Sequence, residues 1–169
     1  SLTGFPGCCL AGLPGGFGAQ CKTVGRRRKT GNLGGVTMDL IMGCSEIDIT
    51  PANPVQIVGF NRGDNTSQGI RDPLYAQASV WKIQEDICCL ISIDHIGFSK
   101  ECADELRTEI GKIILATKEK VMLCFSHTHS APDEEIETEY RKDLFIKIGH
   151  CVKEAMKNMH AVYVGWGNA

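Results

Sequence analysis

The feature that most constrains the fold is an alternation of strand-like and helix-like segments that begins near residue 87. "DICCLISID" and "KVMLCFS" are short, nearly continuous apolar runs, which are typical of strands buried on both faces. Between them, Ser99 stands in position to cap a helix, and apolar residues follow at helical spacing, namely Cys102, Leu106, Ile110 and Ile113. A second, longer amphipathic stripe comes next, formed by Tyr140, Leu144, Ile148, Val152, Ala155 and Met159. "AVYVGWG" then closes the series as a third strand.

This order predicts two right-handed crossover units and an α/β fold, with a mostly parallel or mixed sheet flanked by helices. Two further strands are predicted upstream. "SEIDITP" alternates, with Ile47 and Ile49 on one side, and ends at Pro51, as a short edge strand does. "DPLYAQASVWKI" also alternates, with every second residue from Leu74 to Val80 apolar.

Composition limits the domain count and the partners. A chain of 169 residues with 43% hydrophobic and 22% charged residues is typical of one globular domain. A net charge of −2 gives no electrostatic reason to expect nucleic acid as a partner, and no apolar run approaches the roughly 18–20 residues of a transmembrane helix. Because glycine and proline recur every few residues at the start, residues 1–41 are interpreted as a Gly/Cys-rich extension, disordered or non-native, and residues 42–169 as the folded part.

Nine cysteines are present, and none forms a CxxC pair, which argues against a structural zinc site or a thioredoxin-type motif. Several lie inside apolar runs, where a free thiol behaves as a small hydrophobic group. This usage favours a reducing compartment and predicts a cytoplasmic protein, with secretion as the alternative.

Two of the five histidines lie two residues apart in "SHTHSAP", directly after the second apolar strand. Ligands of open α/β sheets bind beyond the carboxyl ends of the strands, where we expect Asp94, His127 and His129 to meet. If the backbone stays extended, both imidazoles face one side. After Pro132, the acidic run that follows is expected to begin the next helix.

Neutral imidazole is a common zinc ligand, and an imidazole can also shuttle a proton near neutral pH. His127 and His129 are therefore candidates for a metal or catalytic site, although an HxH pair also occurs by chance. Ala131 occupies the place of the aspartate in an HxHxDH metal motif, and Ser130 lacks the GxSxG context of a serine nucleophile.

These motifs together resemble the neutral/alkaline non-lysosomal ceramidases. "SHTHSAP" is similar to the T-H-T-H-S-G-P signature of that family, and "SEIDITP" resembles its opening strand. "VGFNR", "GIRDPLYAQA" and "LISIDHIG" fall between them in the order of the family. The resemblance covers roughly residues 44–166, and it is strongest to the shorter bacterial members.

The resemblance implies part of a zinc-dependent amidohydrolase that cleaves the N-acyl bond of ceramide or a related lipid amide with metal-activated water. It implies that His127 is a Zn²⁺ ligand and that His129 is the catalytic residue beside the metal. Asp94, Arg62 and Ser130 are candidates for substrate-binding or supporting roles. Asp94 is equally suited to a structural role, and Arg62 to a surface position.

In the family, the other ligands (a further histidine, a glutamate and a tyrosine) come from much later in the sequence. The chain is therefore interpreted as the N-terminal piece of an incomplete catalytic domain, inactive by itself. Arg71 and Ala131 depart from the family pattern, which leaves open the hydrolysis of soluble amides or esters. A non-catalytic α/β fragment that binds a metal or a partner chain is the remaining alternative.

Overall fold

A computed structural model describes residues 40–60 and 63–163, which form five strands, two long helices and one short 3-10 turn. The elements are β1 (Leu40–Asp48), β2 (Tyr75–Ile83), β3 (Asp86–Ile93), α1 (Lys100–Ile114), the 3-10 turn (Lys118–Lys120), β4 (Val121–Phe125), α2 (Thr138–Lys157) and β5 (His160–Ala161). The α/β class predicted from the sequence is confirmed.

The five strands of the described residues form one mixed sheet in the order β4-β3-β2-β1-β5. β3 and β4 are parallel, whereas β1 with β2, β2 with β3, and β1 with β5 are antiparallel. The predicted crossover from β3 through α1 to β4 is present. The second predicted crossover is wrong, because α2 packs across β1 and β2 and delivers the chain to the far edge. There β5 runs antiparallel to β1, and therefore opposite to β4.

Both helices cover the same face of the sheet. One core joins alternate residues of the strands to the apolar stripes of α1 and α2, and its fully buried members include Ile91, Leu106 and Leu144. On the other face, Leu90 is 38% exposed and Met122 is 61% exposed. Among the described residues, the prediction that β3 and β4 are buried on both faces is therefore wrong, since their apolar runs have a helical layer on one side.

The helices follow their predicted stripes. The Oγ atom of Ser99 accepts a hydrogen bond from the Cys102 N–H at 3.3 Å, which confirms the predicted N-cap of α1. Every predicted stripe residue from Tyr140 to Ala155 is buried in α2, whereas Met159 lies beyond the end of the helix. His150, also in α2, is exposed.

β1 begins at Leu40, two residues before the predicted start of the folded part. It pairs with β2 along its whole length but with β5 only at Ile41 and Met42, so "SEID" lies at the sheet edge of the described region. β1 lies close against α2 at Gly43, where an added Cβ would overlap the carbonyl oxygen of Ala155. Glycine is therefore required where this strand meets the helix.

Apart from Leu40 and Ile41, the predicted extension over residues 1–41 lies outside the described residues, as does most of "AVYVGWG". Three described thiols behave as the sequence predicts, because Cys89, Cys102 and Cys151 are buried in the core; Cys88 and Cys124 are exposed. Burial raises the pKa of Cys89 to about 12 and that of Cys102 to about 11. Neither helix in residues 40–60 and 63–163 has the length and apolar character needed to cross a bilayer.

Candidate functional site

The predicted meeting of two strand ends is present in the structure. Ile93 of β3 lies beside Phe125 of β4 in parallel register, so both strands finish at the same edge of the sheet. The Ser126 N–H then donates to the carbonyl oxygen of Ile93 at 3.1 Å, which extends the pairing by one step. The segments that contain His95 and His127 therefore leave the sheet side by side.

His127 is held by the turn that follows β3. Its backbone N–H donates to the carbonyl oxygen of His95 at 3.0 Å, and its Nδ1 lies 2.7 Å from the carbonyl oxygen of Ile96. Since a carbonyl can only accept, Nδ1 carries a proton, and in the neutral ring Nε2 keeps its lone pair. The His127 ring is exposed, so this lone pair belongs to an accessible nitrogen.

The prediction that both imidazoles face one side required an extended backbone through the HxH motif. The backbone is not extended there. His127 has a φ of 60°, in the left-handed region that non-glycine residues rarely adopt. The rings of His127 and His129 nevertheless lie together, with centroids 5.1 Å apart in an edge-to-face arrangement. A turn rather than an extended strand therefore brings the two imidazoles to one place.

His129 packs against a segment more than sixty residues upstream. Gly59 has a φ of 106°, and a Cβ at this position would lie 2.6 Å from Cγ of His129. The ring of Phe60 meets the His129 ring edge-on at a centroid distance of 5.3 Å. Hydrogen bonds from the Val58 N–H to the Ala131 carbonyl and from the Asp133 N–H to the Gln56 carbonyl tie the two segments together.

A buried polar pair lies beneath the histidine loop. His95 is 0% exposed and Glu134 is 6% exposed. Nε2 of His95 lies 2.8 Å from the carbonyl oxygen of Pro132 and 3.7 Å from Oε2 of Glu134. Oε1 of Glu134 accepts from the N–H of Ser99, the cap of α1.

The other predicted site residues have different positions. Oδ2 of Asp94 accepts from the Tyr75 N–H at 3.0 Å, so its carboxylate bridges the end of β3 to the start of β2, which fits the structural alternative. Ser130 is exposed, and its N–H donates to Oγ1 of Thr128. Arg62 lies outside the described residues.

The acidic run forms a turn before α2 rather than the start of that helix. Oδ1 of Asp133 accepts from the N–H groups of Glu135 and Ile136, as in an Asx turn. Oε1 of Glu137 accepts from the Gln56 N–H at 2.6 Å, which gives a second link to the upstream segment. The run therefore fixes the loop that carries the histidines.

The arrangement offers two imidazoles at one sheet edge, and one of them has an assigned lone pair directed away from its hydrogen bond. Neutral imidazole nitrogen is the donor type that zinc prefers, so His127 fits a zinc ligand. Within the part of the chain that the structure describes, no three His, Cys, Asp or Glu side chains converge as a set able to hold a metal ion. The described residues by themselves therefore do not form a complete metal site.

The fold matches solved structures of one kind of enzyme. A crystal structure of neutral ceramidase from Pseudomonas aeruginosa is similar with a TM-score of 0.65, and a structure of ceramidase complexed with C2 is similar with a TM-score of 0.64. The fold is ceramidase-like. In both cases the sequence identity is 16%, and the match covers 73% of this chain but 22% of the ceramidase chain. No protein-family model matches the chain, and no curated protein matches its sequence.

The ceramidase-like fold places three residues at the site that sequence reasoning did not select. They are His95, Glu134 and Gly59. Their roles depend on contacts with distant segments. A local sequence signal exists for the contact with His129, namely the "VGFNR" stretch, in which a glycine precedes an aromatic residue.

Proposed function

We propose that this chain forms part of the active site of a zinc-dependent hydrolase that cleaves the N-acyl bond of ceramide or a related lipid amide. The observation that carries the proposal is the hydrogen bond from Nδ1 of His127 to the carbonyl oxygen of Ile96, because it leaves Nε2 available as a ligand. The ceramidase-like fold supports the same class of enzyme.

In this proposal His127 holds Zn²⁺ through Nε2, and the remaining ligands come from outside the described residues. When bound, Zn²⁺ polarises a carbonyl group and lowers the pKa of a water molecule. The carbonyl of Ile96 orients the His127 ring and raises its basicity, as hydrogen-bond partners of ligating histidines do.

His129 is the catalytic residue of the proposal. Its ring lies beside His127 and is half-buried against Gly59 and Phe60, which restrict its orientation. From there it accepts a proton from the attacking water or donates one to the leaving amine. Phe60 is 41% exposed and offers apolar surface next to that ring, which suits the hydrocarbon part of a lipid amide.

The test uses the polypeptide encoded by the complete reading frame. We expect it to release fatty acid from ceramide in a zinc-dependent manner. His127→Ala should lose bound zinc, measured by mass spectrometry of metals, together with turnover. His129→Ala should keep zinc while turnover falls by about 10²- to 10⁴-fold. His150→Ala, an exposed histidine on α2, is the matched control and should change neither.

The outcomes separate the candidate functions. Unchanged zinc content and turnover in His127→Ala would contradict the proposal. Turnover of a soluble acyl amide or ester, with none of ceramide, would identify a hydrolase of a different substrate.

A non-catalytic fragment that binds a metal or a partner chain is the second candidate, and the open sheet face favours the partner chain. A groove of about 590 Å³ lies at the end of β3 away from the histidines, and Trp81, Leu90 and Met122 contribute to its lining. Zinc binding without turnover by the complete polypeptide would support this alternative.

A further inference from the structure

His95 and His127, which lie on neighbouring segments at the edge of the sheet, have opposite hydrogen-bond assignments. Nδ1 of His95 lies 3.1 Å from the N–H of Gly97, which can only donate, so Nδ1 of His95 is unprotonated. Nε2 of His95 lies 2.8 Å from the Pro132 carbonyl, which can only accept, so Nε2 carries the proton. In His127 the proton is on Nδ1.

The ring of His95 therefore joins two loops that meet at the site. Through Gly97 it fixes the turn after β3, and through Pro132 it fixes the segment after the HxH motif. Gly97 has a φ of 148°, a conformation that this hydrogen bond stabilises. Full burial of His95 leaves no water to replace either partner.

The same turn supplies both acceptors of His127. The carbonyl of His95 accepts from the His127 N–H, and the carbonyl of Ile96 accepts from Nδ1 of its ring. A change in the position of residues 95–97 therefore changes the orientation and the tautomer of His127 together.

Glu134 strengthens this connection from the other side. Its Oε2 lies 3.7 Å from Nε2 of His95, and its Oε1 accepts from the Ser99 N–H at the start of α1. The carboxylate favours the proton on Nε2 of His95 and holds the loop of residues 130–134 against the helix.

We propose that His95, supported by Glu134, is a positioning residue that holds His127 with its proton on Nδ1 and its Nε2 ready for the metal. The inference rests on the proposed function in so far as His127 is a zinc ligand. The hydrogen bonds of the His95 ring to Gly97 and Pro132, and those of His127 to the turn after β3, form in the chain without metal. They can therefore be tested without zinc.

The experiment is long-range ¹H–¹⁵N correlation NMR of the metal-free, ¹⁵N-labelled chain, which reports the protonated nitrogen of each imidazole. In the wild type we expect His127 with its proton on Nδ1 and His95 with its proton on Nε2. His95→Asn keeps an acceptor near the Nδ1 position but loses the donor to Pro132. In that variant His127 should shift to the averaged tautomers of an unrestrained imidazole.

His95→Gln is the complementary variant, because its amide nitrogen can donate to Pro132 from the position of Nε2 but offers no acceptor to the Gly97 N–H. It should also release His127, since the turn that supplies both acceptors of His127 is then no longer fixed. His150→Gln is the control and should leave His127 unchanged. In the complete polypeptide, His95→Asn should weaken zinc binding by about 10- to 100-fold, as loss of outer hydrogen-bond partners does.

A folded His95→Asn chain whose His127 keeps its proton on Nδ1 would overturn the proposal. If His95→Asn does not fold, the wild-type spectrum decides. A proton on Nε2 of His127 overturns the proposal. A proton on Nδ1 of His127, together with a proton on Nε2 of His95, supports it. If both histidines have the expected tautomers but the complete polypeptide does not bind zinc, the positioning role of His95 is kept and the proposed function is rejected.

Discussion

At the scale of single residues, Gly59 determines how closely the upstream segment approaches His129. The absence of a side chain permits both the φ of 106° and the contact with the imidazole. Phe60 then reaches the edge of the same ring. A single glycine therefore sets the distance between the catalytic candidate and its apolar neighbour.

Gly59→Ala should destabilise the chain by about 1–3 kcal/mol, because alanine is strained at this φ and its Cβ would displace the His129 ring. The measurement is the free energy of unfolding in urea. Gly69→Ala is the matched control, since a Cβ there meets no atom within 4 Å, and its stability should change much less. Equal effects of the two substitutions would show that the contact with His129 is unimportant.

The candidate site could be predicted from the sequence only where the signal was local. His127 and His129 follow an apolar strand directly, so their place at the carboxyl edge of the sheet was predictable. The Pro132 partner of His95 and the Ser99 partner of Glu134 lie more than thirty residues away in sequence, and burial of these two side chains depends on how the loops close. The left-handed φ of His127 likewise has no marker in its residue type.

At the scale of elements, α1 carries a cluster of charges around Asp104. Lys100 and Lys118 approach Oδ2 of its carboxylate at 3.0 and 3.1 Å, and Arg107 approaches Oδ1 at 3.4 Å. Hydrogen bonds from Lys100 and Lys118 lower the pKa of Asp104 from 3.8 to about 2. The cluster joins the first half of the helix to the 3-10 turn that leads into β4.

This cluster predicts a pH dependence of stability. Because the pKa of Asp104 is lower in the folded chain than its usual value, its ionised form stabilises the fold above about pH 4, and that contribution is lost as the pH falls toward 2. Asp104→Asn should remove this part of the acid dependence, measured as the free energy of unfolding between pH 2 and 5. Glu105→Gln, an exposed position on the same helix, is the control. Added salt should reduce the difference, since the groups are at the surface.

Helices and strands were predictable where the apolar residues recur at one regular spacing in the sequence. The predicted stripes of α1 and α2 coincide with buried residues, except for the partly buried Ile113 and Met159, because a helix that covers a sheet needs one continuous apolar face. The strands were harder. The apolar runs of β3 and β4 indicate that both faces of these strands are suited to burial. The sequence does not say whether other elements cover both faces.

At the scale of the whole molecule, the helices cover one face of the sheet, and the residues that the structure describes leave the other face open. Ile91 is fully buried beneath the helices, and its neighbour Leu90 points to the other side and is 38% exposed. The two residues are adjacent in the same strand and nearly equal in size, so they form a natural comparison of the two faces.

Ile91→Ala should cost about 2–5 kcal/mol of stability, because it leaves a cavity in the core. Leu90→Ala should cost less than about 1 kcal/mol in the chain by itself, as substitutions at exposed positions usually do. Urea unfolding of both variants is the measurement. A large loss in Leu90→Ala would show that another surface already covers the open face in solution.

The hydrogen bonds of the histidine loop also affect the order of events during folding. The link between Gln56 and Glu137 closes a separation of 81 residues, whereas each helix forms from its own neighbours. Closing such long loops costs entropy before any contact compensates for it, so helices and the β2–β3 hairpin are expected to form first. The two imidazoles would then take their final positions late in folding. In a ribosome-bound chain whose Glu137 is still inside the ribosome, the loop of His127 and His129 would lack its link to Gln56.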